Sequence, residues 1–367
     1  MHRLLPLVLA LAAACGPSAA ELARVDYTPI PVGDWEISTP EAEGLDPLRV
    51  ARLYWNAEDV ETLYALLVVK NGRLVGEKYF HGGSLEGTSN LQSATKSVTS
   101  ALVGIALEDG CIPDLDAHMM DFFPELDDRI SDPRKRQITL RQMLQMRAGF
   151  PWEEDSRELF DLMYSGFRPR HLVDVPLLYD PGTDNRYSNL TSHLLGIVLA
   201  RACDTDLLTF GQERLFSKLG FTPAGWLPSW EDYYLGMSGL QITARDMARF
   251  GLLYLDRGVF GGERLLPAQW VEDSFTIYSP DAWHIGIGGN VRHLGYGYQW
   301  WSVESGPFRY HMAWGHGGQQ IVILDDLDLV VVVKADPLEG EHGGGPWGKE
   351  KANLNLVGDF IASLANR

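Results

Sequence analysis

Ser93 and Lys96 stand three residues apart at the head of the apolar run Val98, Ala101, Leu102, Ile105 and Ala106. That spacing is helical and puts both side chains on one face, a turn apart. A serine hydroxyl is a poor nucleophile until a neighbour accepts its proton, and an ammonium beside it can assist that transfer. The first turn of a helix also points free backbone N–H groups and the positive dipole end at the reacting centre. Two later stretches could complete such a site. The turn-rich loop from Asp180 to Asn189 presents Tyr187 and Asn189. A phenol titrates at about 10, so beside the Lys96 ammonium its phenolate is favoured and could take the proton from Ser93. Asn189 could orient Lys96 or donate to a substrate carbonyl. Farther on, Trp314-Gly315-His316-Gly317-Gly318-Gln319-Gln320 runs into a strand-like segment, 321–324. Glycines at the start of a strand let a substrate approach the backbone edge, and an N–H there, with that of Ser93, would form an oxyanion hole.

Each signal also has a plain reading. Ser-x-x-Lys arises by chance on solvated helix surfaces, and a tyrosine can simply pack a loop against the body. Two other His-Gly-Gly triplets, at His81 and His342, read as turns, and a second Tyr-x-Asn at Tyr54 lies ahead of Ser93. His118, His171, His193 and His311 read as surface or packed residues, none with metal-ligand spacing.

The elements that must position these residues follow from pattern. Asp46 and Pro47 open a helix through about residue 57. The apolar runs 64–70 and 73–80 are joined by Asn71-Gly72, a strong hairpin signal. From about 110 to 228 strand patterns nearly vanish, with helices expected near 117–123, 139–147, 157–164, 171–178, 191–202 and 207–219. A helix after Thr243 has a capping pair in Thr243 and Asp246, and another is expected near 268–274. Strands are expected at 297–302, 308–314, 319–324 and 329–334, then a closing helix at 349–364. The expected fold is α+β: an antiparallel sheet built from N- and C-terminal segments, flanked by helices, with an inserted, mainly helical lobe at about 110–228.

Composition and the leader bound the rest. A basic start, Met1-His2-Arg3, and the apolar run 4–14 read as a secretory signal, too short to span a bilayer. Two processing sites compete: cleavage after Ser18-Ala19-Ala20, or a lipoprotein box at Ala12-Ala13-Ala14-Cys15-Gly16 with Cys15 carrying a lipid anchor. Residues 1–20 are then leader and 21–367 a single domain, exported to the periplasm or the exterior, soluble or tethered. No later run suits a transmembrane span. A net charge of −18 argues against nucleic acid as a partner. With Cys15 in the leader or acylated, export permits Cys111 and Cys203 to pair, but two buried free thiols are the expectation.

Ser-x-x-Lys, then Tyr-x-Asn, then His-x-Gly at a strand's start, in that order, resembles the serine β-lactamase and penicillin-binding protein superfamily. The Tyr-x-Asn form is similar to its class C branch with the related esterases and peptidases; class A carries Ser-Asp-Asn instead. The likeness runs from about residue 37 to the C-terminus and includes Ile138-Thr139-Leu140 and the stretch from Gly239 to Asp246. It implies that Ser93 is acylated, that Lys96 and Tyr187 share its proton transfer, and that Ser93 and Gln319 supply the oxyanion N–H donors. Asn189, His316, Gly317 and Gly318 would then face the substrate. Where class C β-lactamases carry Lys-Thr-Gly, this chain has His316-Gly317-Gly318. That variant, with Trp152-Glu153-Glu154-Asp155, resembles the esterase and aminohexanoate-oligomer hydrolase members. A histidine titrates at about 6.5 and is mostly neutral at pH 7, so it is a poorer carboxylate partner than lysine. The expected activity is cleavage of small neutral esters or amides with no metal or organic cofactor. The alternatives are a β-lactamase or DD-peptidase for carboxylate-bearing, peptide-like substrates, and a penicillin-binding-like sensor that does not turn over.

Overall fold

Alternating side chains on one central sheet generate two separate cores. The computed structural model describes residues 16–283, 286–337 and 346–365; the leader through Cys15 and the His342 triplet lie outside them. Helix α1 (Pro47–Ala57) begins where the Asp46 carboxylate accepts from Leu48 N at 2.9 Å. Strands β1 (Leu63–Lys70) and β2 (Arg73–Tyr79) follow, joined by Asn71 and Gly72 with φ of 52° and 75°. Both residues are left-handed, as the tight hairpin turn requires. Then come helices α2 (Thr95–Glu108), α3 (Asn189–Ala202) and α4 (Ala244–Leu255). Five strands close the sheet: β3 (Arg292–Tyr296), β4 (Trp301–Ser305), β5 (Phe308–Gly315), β6 (Gln319–Leu324) and β7 (Leu329–Ala335), before helix α5 (Pro346–Ser363).

The sheet is antiparallel with order β2-β1-β7-β6-β5-β4-β3. The first hairpin and the last strand meet one strand in from an edge, where Leu67 pairs with Val332. Successive strand residues face opposite sides. Leu67, Val69, Ile321, Ile323, Val330 and Val332 therefore join the core under α2, α3 and α4. Leu66, Val68, Val322, Val331 and Val333 join a second core under α1 and α5. The result is the expected α+β layering of helices on both faces. The lead-in runs along β2: Ile37 bridges Leu74, and the Arg245 guanidinium ties Ile30 O and Asp34 to the buried Glu77 carboxylate.

Several expected elements shift. Residues 117–123 and 171–178 hold only the 3-10 turns Met119–Phe122 and Pro169–Val173. Pro113 and Pro124 flank the first stretch, and Pro169 and Pro176 interrupt the second, leaving runs too short for a stable α-helix. The strand expected at 297–302 begins at Trp301, because Gln299 has φ of 61° and its backbone is bonded to Ser97 Oγ and Leu144 O. Strand β3 lacks an alternating pattern, with a register shift between Arg292 and Gly295. No helix among the described residues is long and apolar enough to cross a membrane.

Cys111 and Cys203, expected as free thiols, form a disulfide. Each lies just past the C-terminal end of a helix, α2 or α3, and those helices pack together, leaving the two Cα atoms 5.2 Å apart. Closing a 92-residue separation, the bond should contribute on the order of 2–4 kcal/mol. The urea midpoint of the native chain should therefore fall on adding a dithiol reductant. The Cys111→Ser/Cys203→Ser variant should start low and not respond. Equal native midpoints with and without reductant would show that the bond contributes nothing.

Candidate active site

Ser93 sits in a 3-10 turn, Gln92–Ala94, that feeds directly into α2. Gln92 has φ of 50°, a region a non-glycine residue holds only when its surroundings over-determine it. Here they do. Asn90 Oδ1 accepts from Gln92 N and Gly239 N, both at 2.8 Å, and Gln92 Nε2 donates to Pro337 O at 2.8 Å. Helix α2 is clamped by its own hydroxyls: Ser97 Oγ donates to Gln299 O, Thr99 Oγ1 to Gly236 O and Ser100 Oγ to Tyr298 O, at 2.7–2.9 Å. Behind the turn lies Gly315, at the end of β5, where an added Cβ would fall 2.1 Å from Leu91 O. Any side chain there would push the turn away.

Lys96 is buried, with Nζ 2.9 Å from Ser93 Oγ, 2.8 Å from Asn189 Oδ1 and 3.0 Å from Met237 O. Burial drives its pKa down to about 7, against the pull of the Glu153 and Glu154 carboxylates. The free amine is thus accessible near neutrality. Tyr187 lies with its ring 5.0 Å from Lys96 Nζ and nearly parallel to Trp301 at 5.7 Å. Burial raises the phenol well above its ordinary value; its hydrogen bond with Ser93 opposes this, and Tyr164, Glu154 and Glu153 add to it. The phenolate expected from the sequence is therefore disfavoured. Removing both groups from water favours the neutral amine of Lys96 and the neutral phenol of Tyr187.

Asn189 opens α3, whose N-terminus is held by a buried carboxylate. Glu153 accepts from Asn189 N at 2.9 Å, Leu190 N at 2.5 Å and Ser188 Oγ at 3.1 Å. Those amides have no partner within the helix, and their dipoles favour the negative charge. Asn189 Nδ2 donates to Tyr164 OH at 3.2 Å, which turns its Oδ1 toward Lys96.

The β5–β6 hairpin carries the remaining group. Gly315 pairs with Gln319, and Gly317 and Gly318 turn the chain with φ of 81° and 93°. A Cβ on Gly317 would lie 2.1 Å from Asp336 O, and one on Gly318 2.5 Å from Asn353 Cβ. Both glycines, expected to make room for substrate, make room for the protein's own chain. Gln319 is locked by its side chain, whose Nε2 donates to Ala335 O at 2.6 Å and whose Oε1 accepts from Ala335 N at 3.0 Å. Strands β5 and β6 both pack on the Ser93 turn, so the Ser93 and Gln319 backbones adjoin. His316 Nδ1 stands 3.0 Å from Glu350 Oε2, and Glu350 also accepts from Trp314 Nε1 at 2.7 Å.

Ser93, Tyr187, Asn189 and His316 line one cavity of about 690 Å³, while Lys96 is buried behind Ser93. Its walls also contain Tyr164, Glu154, Met237, Glu350 and five tryptophans, none singled out in the sequence as a site residue. Only the high tryptophan content and the Trp152–Asp155 stretch hinted at them. Among the described residues no group of His, Cys, Asp or Glu is arranged to hold a metal ion.

Comparison with known proteins agrees with this fold. The Beta-lactamase family profile matches residues 60–336, and the chain belongs to that family. It is a β-lactamase-related serine hydrolase. A 6-aminohexanoate-dimer hydrolase of Paenarthrobacter ureafaciens is 25% identical over 285 residues, covering 73% of this chain and 71% of the relative. A solved Bacillus anthracis structure with a provisional 6-aminohexanoate-dimer hydrolase name superposes with a TM-score of 0.69 at 23% identity, covering 85% and 82% of the two chains. A family VIII carboxylesterase structure gives 0.60 at 17% identity, over 88% and 98%.

Gly315→Ala tests how tightly the nucleophile is placed. A misplacement of about 1 Å can cost roughly 10²-fold in rate. The variant should lose that order of kcat toward an activated ester such as p-nitrophenyl acetate while circular dichroism still reports a folded chain. Native-like kcat would show that the Leu91 contact does not set the Ser93 position.

Proposed function

We propose that the chain cleaves ester or amide bonds of small substrates through an acyl-enzyme on Ser93. The observation that carries this reading is the 2.9 Å contact between Ser93 Oγ and a buried lysine nitrogen whose proton is lost near neutrality. Lys96 as free amine takes the hydroxyl proton while Oγ attacks the carbonyl carbon. The backbone N–H groups of Ser93 and Gln319 hold the oxyanion. Tyr187 gives its proton to the leaving oxygen or nitrogen and is reprotonated from Lys96. A water molecule then repeats the sequence in reverse to release the acid.

Neutral substrates fit better than anionic ones. The carboxylate partner that a lysine would offer is replaced by His316, which already faces Glu350, and Glu154 adds a second carboxylate to the wall. The names of the amide-cleaving relative and the carboxylesterase support both bond types. The signal-like leader and the disulfide support export to an oxidising compartment.

Ser93→Ala should abolish both fluorophosphonate labelling and turnover in a folded protein; labelling at Ser97 or Ser100 instead would overturn the assignment. Because the base is the deprotonated amine, kcat/KM should rise with pH through about 7, the value set by burial of Lys96. A profile flat from pH 5 to 9 would remove Lys96 from the proton path. Lys96→Ala and Tyr187→Phe should each lower the rate by roughly 10²–10⁴. At pH 8, p-nitrophenyl butyrate should be cleaved with a kcat/KM far above that for a cephalosporin. The reverse order would reverse the substrate reading.

A further inference from the structure

The C-terminal helix reaches the catalytic cavity through residues that the hydrolytic steps do not use. Glu350 and Asn353 stand three apart on α5, on one face, and both are buried. That face grips the turn between β5 and β6. Glu350 Oε2 accepts from Gly317 N at 3.2 Å, and Asn353 Nδ2 donates to Gly317 O at 3.1 Å. Both polar groups of the Gly317 backbone, itself buried, thus end on α5. A buried backbone group left unpaired is costly, so these two contacts constrain where the turn can lie. Glu350 fastens the strand end as well: Oε1 accepts from Trp314 Nε1 at 2.7 Å, and Oε2 stands 3.0 Å from His316 Nδ1. Asn353 is anchored in turn on the first hairpin, with Nδ2 donating to Thr62 Oγ1 at 2.9 Å.

The turn needs such support. Two successive glycines restrict the backbone little, and Gly317 and Gly318 hold φ of 81° and 93°. The turn's own bond, from Gly318 N to Gly315 O at 3.0 Å, closes it without fixing the tilt of the next peptide. That next peptide carries the Gln319 N–H. Its carbonyl, Gly318 O, accepts from Gln320 Nε2 at 3.4 Å, and the same nitrogen donates to Asn353 O at 3.0 Å. The helix also touches the turn directly, since a Cβ on Gly318 would fall 2.5 Å from Asn353 Cβ. The donor peptide is therefore steadied from α5 on one side, while the Gln319 side chain is tied to Ala335 on the other.

We infer that Glu350 and Asn353 are positioning residues for catalysis: α5 holds the Gly317–Gln319 turn so that the Gln319 N–H points at the oxyanion. This rests on the Ser93 hydrolase reading and deepens it. Neither residue exchanges a proton with the substrate.

Two size-conserving variants test the inference. Glu350→Gln turns one acceptor into a donor, which then faces the N–H of Gly317 or of Trp314. Asn353→Leu leaves Gly317 O without its donor. In each, kcat toward p-nitrophenyl acetate should fall roughly tenfold or more with KM changed less than about threefold, because the turn serves the transition state more than ground-state binding. Fluorophosphonate labelling of Ser93 should slow by a similar factor, since the phosphoryl oxygen uses the same donors. A lowered urea midpoint with native kcat and labelling rate would make the contacts merely structural and overturn the inference. Amide hydrogen exchange supplies a second measurement. The Gly317 N–H should exchange slowly in the native protein and faster in Glu350→Gln; rapid exchange in the native protein would also overturn it. If one variant does not fold, the other and the native exchange decide. If the native chain neither cleaves the ester nor takes the label at Ser93, it is the hydrolase reading that fails, and Gly317 exchange still tests the grip of α5.

Discussion

Three distant chain segments converge on the nitrogen of Lys96. The Ser93 turn, the first residue of α3 and the loop at Met237 each place one oxygen within 3.0 Å of it. Burying a lysine is costly, and the cost is met in part by these acceptors and in part by giving up the proton near pH 7. The dependence also runs the other way. Without the lysine, Asn189 Oδ1 and Met237 O would face each other with no donor between them. The Ser93 turn, the cavity-lining Asn189 and the loop at Met237 are therefore tied together through one side chain.

Around that nitrogen, rigidity comes from unlike sources. Helix α3 is fixed at its start by the Glu153 carboxylate and at its end by Cys203, bonded to Cys111 beyond the end of α2. The two helices that bear Lys96 and Asn189 are tied at one end by the hydrogen bond between those residues and at the other by sulfur. The sheet gives the third reference point. Gln319 is bonded through its side chain to Ala335 on the neighbouring strand, which sets the backbone beside Ser93 without using the groups that face the substrate.

Local signals were legible and convergent ones were not. Asn71-Gly72 announced its hairpin because a two-residue turn leaves few residue choices. Thr243 and Asp246 form the reciprocal capping bonds their spacing implied. The ordered motifs placed Ser93, Lys96, Tyr187 and Asn189 in one site because each is fixed to the end of a local element. Proton affinities could not be read the same way, since the sequence does not show how much water Lys96 and Tyr187 lose. Glu153, Tyr164 and Glu350 act across 25 to 37 residues or more, through contacts with no spacing rule. Gly315 stood among glycines read as room for substrate at a strand's start; its reason is a carbonyl at Leu91 that only the folded sheet brings near.

The placement of β1 beside β7 has a consequence for when the protein becomes dangerous to other molecules. Residues 63–70 find their inner partner only at 329–335, so the sheet cannot close until most of the chain exists. A growing or threading chain holds Ser93 and Lys96 early, but Asn189 and Met237 arrive later and Gln319 later still. Until then Lys96 is hydrated and keeps its proton at neutral pH, and Ser93 remains an ordinary alcohol. The lowered proton affinity of Lys96 therefore waits on the segments that bury it.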